Sequence, residues 1–215
     1  LDEISYISAA SVGALNAAAY AAGETKTADR VWSEICSERK RLFLPSVLKS
    51  DILQKRLFEL SDYKTGCEKL YVPLLDLRKR TVVYKDLASE NAAVRYLCLK
   101  AAISIPPLCS TVKIGTNRYC DGALADNIPF FPLLGCDVDY AICVYFDDND
   151  YIFGSDCFTR RVIKISFPED NRFLYSSFCF DEKSYSEMRE QGYRKAKAVF
   201  DIVLSGGVKD PESVR

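Results

Sequence analysis

The stretch Ile4–Gly23, ISYISAASVGALNAAAYAAG, decides how this chain is read. Ile4 to Ser8 has the look of a short strand, and Ser11 follows three residues later. From Val12 onward the small residues Ala14, Ala17, Ala18, Ala19, Ala21 and Ala22 favour a helix, which Gly23 ends. A strand, a tight turn carrying serine and then a helix is the nucleophile-elbow pattern G-x-S-x-G. Here it runs Ala9-Ala10-Ser11-Val12-Gly13, with alanine in the first glycine position. A serine at such a turn tip points its hydroxyl out of the sheet. The free N–H groups and dipole of the following helix favour negative charge beside it. The Val12 N–H is then a natural oxyanion donor. The plainer alternative is that Ser11 caps the helix, as serine commonly does.

Working outward, the chain alternates strands and helices. Thr27–Glu38 carries Val31, Trp32 and Ile35 at helical spacing, with Trp32 a packing residue. Lys40–Leu48 reads as an apolar loop, and Ser50 caps a helix over Asp51–Leu60. Leu70–Leu77 and Thr81–Tyr84 read as strands joined by Arg78-Lys79-Arg80, a solvated tip whose charge would also suit anionic lipid. Ser89 caps a helix over Glu90–Ile103, stopped by Pro106-Pro107. Thr111–Ile114 and Arg118–Cys120 flank a hairpin turn. Val138–Phe146 is an unbroken apolar run expected as a central, fully buried strand. Asp147, Asp148 and Asp150 lack calcium-loop spacing and read as a solvated turn. Arg161–Phe167 is a further strand, and Ser184–Leu204 a long helix closed by Gly206-Gly207. This alternation predicts a three-layer α/β/α domain with a mainly parallel central sheet, one domain over 1–215.

Composition narrows the chemistry. Lys+Arg 29 against Asp+Glu 30 gives a formal charge of −1, and the basic residues are scattered, so no nucleic-acid partner is expected. Membrane contact, if any, would be peripheral, through Leu42–Leu44 or Phe130-Phe131, since no run reaches the roughly 20 apolar residues that span a bilayer. Nine cysteines without C-x-x-C pairs suggest free thiols in a reducing, cytoplasmic setting. Histidine is absent, which removes a Ser-His-Asp triad and histidine metal sites within the sequence. A serine nucleophile here needs another base. Asp121, at a strand end before Gly122, is a candidate: a carboxylate within hydrogen-bond reach could take the hydroxyl proton directly. Taken alone, Asp121-Gly122 is also an ordinary turn signal.

Four stretches in order resemble the patatin-like phospholipase family: ISAASVGALNAAAYAAG its G-x-S-x-G-A-L-N-A stretch, LKAAISIPPL its A-S-x-x-x-P segment, DGALADNIPF its D-G-[GA]-x-x-x-N-x-P motif, and QGYRKAKAVF its Gly-Tyr helix. The resemblance implies a patatin-like fold and hydrolysis of a lipid acyl ester, with Ser11 the nucleophile and Asp121 its general base. It implies no metal and no organic cofactor. Ala9, Gly13, Gly122 and Asn127 would support the two turns, and Asn16 would fix the elbow helix against the Asp121 loop. Two departures stand out. Ala9 replaces a glycine, tolerable only at negative φ. The family's glycine-rich oxyanion loop, G-G-G-x-[KR]-G, is not found before the elbow. The expectation is therefore a fragment truncated at its N-terminus, with turnover reduced because even one oxyanion donor is worth about 10²–10³. The alternatives are an inactive member of the fold that binds lipid or a partner, and a structural α/β interaction domain in which Ser11 and Asp121 lie far apart. Acyl length, head group and oligomeric state are not encoded in these motifs.

Overall fold

The computed structural model describes residues 4–37, 42–145, 162–167 and 179–204, which fall into two compact units, Leu1–Gly135 and Cys136–Arg215. In the first unit, β1 (Tyr6–Ser8) leads through a turn into α1 (Val12–Ala21), followed by α2 (Thr25–Ser37). The expected apolar loop at Lys40–Leu48 instead contains β2 (Leu42–Phe43) and the single-turn-and-a-half helix α3 (Leu44–Leu48), whose Val47 and Leu48 are buried. α4 (Asp51–Asp62) is capped by Ser50, whose Oγ accepts from the Leu53 N–H at 3.3 Å. Two strands follow, β3 (Lys69–Asp76) and β4 (Thr81–Asp86). α5 (Ala92–Ala102) begins later than the sequence suggested. Asn91, not Ser89, is its cap, because Leu87–Ser89 is taken up by a 3-10 turn whose own cap is Asp86. The unit closes with the hairpin β5 (Val112–Ile114) and β6 (Asn117–Asp121).

β3 is the spine of this unit. It pairs in parallel with β1 and antiparallel with both β4 and β6, and β5 extends the sheet beyond β6. The chain is α/β as expected, and its first sheet is mixed: the parallel β1–β3 pair brings the elbow alongside β3, while tight hairpins supply the antiparallel neighbours. The alanines of α1 let that helix approach α2, α4, α5 and β3 at once, and Ala14, Leu15, Ala17, Ala18, Ala19 and Ala21 are all buried. Gly23, at φ 74°, ends α1; its N–H bonds the Tyr20 carbonyl while the Glu24 N–H reaches back to Ala19. Around this scaffold Ile35, Leu53, Leu57, Leu70, Val72, Leu74 and Leu99 form the fully buried core.

In the second unit, β7 (Ala141–Tyr145) and β8 (Val162–Ser166) pair in parallel. β9 (Cys179–Phe180) precedes the long helix α6 (Glu182–Leu204), where the Asp181 carboxylate accepts from the Ser184 N–H at 2.9 Å as an N-cap. Ile163, Ile165 and Val199 form a core extended by Phe167, Ala196 and Phe200. β7 is shorter than the apolar run Val138–Phe146, and it is not buried on both faces: Ile142 is 44% and Val144 53% exposed, alternating with buried Ala141, Cys143 and Tyr145. Continuous hydrophobicity therefore overstated its burial. The aspartates at 147, 148 and 150 and the Gly206-Gly207 stop lie outside the described residues.

Candidate active site

The turn after β1 bends sharply at Ser11, whose backbone lies at φ 52° and ψ −133°. Only two described non-glycine residues have positive φ, Ser11 and Arg80. Such a conformation costs on the order of 1–3 kcal/mol and persists only where the surroundings enforce it. Here the register does so. The Ala9 N–H bonds the Tyr71 carbonyl of β3 at 3.0 Å, and the Ala14 N–H bonds the Ser11 carbonyl at 3.0 Å. Ser11 is thereby clamped between a sheet and a helix. Although Ser11 stands at the cap position of α1, its side chain makes no cap hydrogen bond, so the plainer reading of this serine does not hold.

The titratable group that feels the Ser11 side chain is Asp121. The residue ends β6, directly opposite Leu74 of β3, and is 1% exposed. Its N–H donates to the Ser104 carbonyl at 2.9 Å. Its Oδ1 accepts from the Ala123 N–H at 2.9 Å, which fixes the carboxylate in the turn. Burial raises the Asp121 pKa above the ordinary carboxylate value; hydrogen bonds from the Ser11 side chain and the Ala123 N–H pull it back without cancelling the rise. Two side chains 110 residues apart in sequence thus act on one another, which a domain with Ser11 and Asp121 far apart would not allow.

Gly122 is what lets them meet. A Cβ on Gly122 would lie 2.4 Å from the Pro73 carbonyl carbon and oxygen and 2.8 Å from the Leu74 nitrogen. No side chain fits there, so the turn presses directly on the backbone of β3. Ala9 and Gly13 behave differently. Ala9 is not in the positive-φ region, so its methyl is unstrained, and a Cβ on Gly13 would meet nothing closer than the Ala9 Cβ at 3.8 Å. Val12, the first residue of α1, carries an N–H without an intrahelical acceptor.

Other expectations fare less well. Asn127 is exposed, and its side chain makes no hydrogen bond with the described residues. Asn16 does not reach the Asp121 loop; its Oδ1 accepts from the Trp32 Nε1–H at 2.8 Å, joining α1 to α2. What holds that loop is Asp126, which accepts from the Tyr84 hydroxyl, with the Phe131 ring stacked on Tyr84 at 5.9 Å. Burial, then the Asp126 bond, raises the Tyr84 pKa and keeps the phenol a donor. Phe130 is buried and Phe131 is exposed, while the side chains of Leu42–Leu44 lie outside those described.

Ser104 was missed. Its carbonyl anchors Asp121 and its Oγ donates to the Ser110 carbonyl at 2.6 Å. Its only signal in the sequence is its place in LKAAISIPPL.

Compared with known families, residues 1–134 match the model for patatin-like phospholipase. The chain belongs to the patatin-like phospholipase family. Its match to that family ends within one residue of the boundary of the first compact unit and contains the Ser11 elbow, the Ser104 segment and the Asp121 turn. Hydrolysis of lipid acyl esters is the family's chemistry. Among curated proteins no match is found. No described helix is long and apolar enough to cross a membrane.

Proposed function

We propose that this patatin-like chain is a serine hydrolase of lipid acyl esters in which Ser11 is the nucleophile and Asp121 the general base. The observation that carries the reading is Ser11 itself: it is held in a strained turn, makes no capping bond, and its side chain lowers the pKa of a buried carboxylate. Asp121 removes the Ser11 proton as Oγ attacks the ester carbonyl. The tetrahedral oxyanion is met by the Val12 N–H at the positive end of α1. Collapse expels the alcohol, which takes the proton from Asp121, and leaves an acyl-Ser11 ester. A water deprotonated by Asp121 then attacks that ester and releases the fatty acid, restoring the Ser11 hydroxyl. The raised pKa suits this role, since a general base works best when its pKa approaches the working pH.

The test is hydrolysis of a soluble short-chain ester together with labelling by a fluorophosphonate probe. Ser11→Ala loses labelling, and Asp121→Asn loses turnover by about 10³–10⁴. The acid limb of the wild-type rate falls as pH drops through the Asp121 pKa, at a higher pH than an ordinary carboxylate would give. Stability runs the opposite way. A carboxyl whose folded pKa is raised contributes stability at acid pH that is lost as pH rises through the folded pKa. Asp121→Asn is therefore expected to raise the melting temperature at neutral pH while turnover is lost. Wild-type rates in both variants would remove the assignment.

A further inference from the structure

Beyond the site, the first unit carries a cluster of exposed cations at one end of its sheet, of which Lys79 acts on the Asp76 carboxylate and Arg118 donates to Thr111. β3 and β6 pair Asp76 with Tyr119, and the Leu77 N–H continues that register by donating to the Arg118 carbonyl at 3.0 Å. β5 pairs Lys113 with Arg118. Leu77, Arg118 and Lys113 thus form one row across three strands, and Arg78, Lys79 and Arg80 follow Leu77 in the adjoining turn. All six residues are exposed. None of the five cations forms an ion pair with a described residue, and neither 77–84 nor 110–120 contains an acidic residue.

The tip is also held in shape. Asp76, fully buried beneath it, accepts from the Arg78 and Lys79 N–H groups at 2.9 and 3.1 Å and from the Asn117 side chain at 2.8 Å. The cations are therefore presented on a fixed platform. That platform is close to the dyad. Arg118 is three residues from Asp121 along β6, about 10 Å at strand spacing. It also lies beyond the C-terminal end of β3, on the side toward which the parallel strand β1 delivers Ser11.

We propose that this row and turn form a docking surface for an anionic lipid bilayer, which brings the Ser11–Asp121 site to the membrane face. The proposal rests on the lipid-hydrolase reading above. Five cations beside an exposed leucine match a negatively charged headgroup layer with an apolar layer beneath it. A nucleic acid fits less well: the turn and the two hairpin strands expose no aromatic ring on which a base could stack, Tyr119 being buried.

Sedimentation of the purified protein with phosphatidylcholine vesicles, with and without about 30% phosphatidylserine, tests this. Binding is expected to the anionic vesicles only, and to be lost near 1 M salt, where the screening length falls to about 3 Å. Arg78→Gln/Lys79→Gln/Lys113→Gln weakens it by about 100-fold. The charge-keeping set Arg78→Lys/Lys79→Arg/Lys113→Arg retains it. The Gln variant keeps wild-type hydrolysis of a soluble ester but loses its gain on anionic vesicles. Equal binding to neutral vesicles, binding unchanged in the Gln variant, or retention on RNA without vesicle binding each overturns the proposal. Vesicle binding requires no turnover, so an inactive protein that still binds in this way would count against the hydrolase reading alone.

Discussion

At Ser11 the backbone lies at φ 52° and ψ −133°, in a region that side chains avoid; at Asp121 it lies at φ −56° and ψ 122°, where any residue is comfortable. The two turns nevertheless carry costs of different kinds, and only one of them requires its glycine. Around Ser11 the cost is torsional and falls on the serine, while its neighbours Ala9 and Gly13 have room. Around Asp121 the torsions are relaxed and the cost would be steric, because Gly122 rests on the Pro73 and Leu74 backbone. Two motif glycines that look equivalent in a sequence pattern thus do different physical work. One marks a site open to an extra methyl, and the other marks a contact between two main chains.

The largest effect is expected at the contact. Gly122→Ala places a methyl 2.4 Å from the Pro73 carbonyl, and both atoms it meets there belong to backbone that is paired in a central strand. The turn must lift away from β3 and carry the Asp121 carboxylate with it. Urea denaturation should show a loss of about 3 kcal/mol, and ester hydrolysis should fall further than the unfolded fraction explains. If Gly122→Ala unfolds at the wild-type midpoint, close approach is not what the glycine provides.

Much of this site is legible in the sequence because its signals are local. A strand, a serine turn and an alanine helix are neighbours, and Asp121-Gly122 announces a turn by itself. What could not be read is contact between distant segments. Nothing near Gly122 names Pro73 as its neighbour, and nothing near Ser104 says that its carbonyl holds Asp121. The sequence points Asn16 at the Asp121 loop for the same reason, whereas its hydrogen bond crosses to Trp32, on the next helix. Competing caps account for another difference. Both Ser89 and Asn91 suit a helix start, and only the 3-10 turn capped by Asp86 decides for Asn91. In β7, apolar residues on both faces suggested a central strand, yet Ile142 and Val144 are exposed, since hydropathy records what a side chain prefers and not what covers it.

The torsional cost at Ser11 predicts a gain where the function predicts a loss. Ser11→Gly removes the side chain that disfavours φ 52° and should relieve about 1–3 kcal/mol. Against this, glycine adds unfolded-state entropy worth about 0.5–1 kcal/mol. A net gain of about 1 kcal/mol over Ser11→Ala remains, since both variants lose the hydroxyl beside Asp121; it is read as a higher melting temperature of the glycine variant, neither protein labelling with fluorophosphonate. Ser11→Ala keeps the same torsion, loses the same hydroxyl and should melt below the glycine variant. If the two variants melt alike, Ser11 is not strained and the elbow is held by something other than the clamp between Tyr71 and α1.

The smallest effect belongs to Gly13, and it separates folding from function most cleanly. The residue is exposed in the first turn of α1, its φ is not positive, and an added methyl meets only the Ala9 Cβ at ordinary contact distance. Alanine is the better helix former by up to about 1 kcal/mol, less in a first turn. Gly13→Ala should therefore melt at or slightly above the wild-type temperature. Hydrolysis then becomes the informative reading. Unchanged turnover would mean that position 13 is as permissive as position 9 already is. Lost turnover in a protein of undiminished stability would mean that the glycine keeps open the approach of the acyl group to Ser11, a requirement of the substrate that the fold does not share.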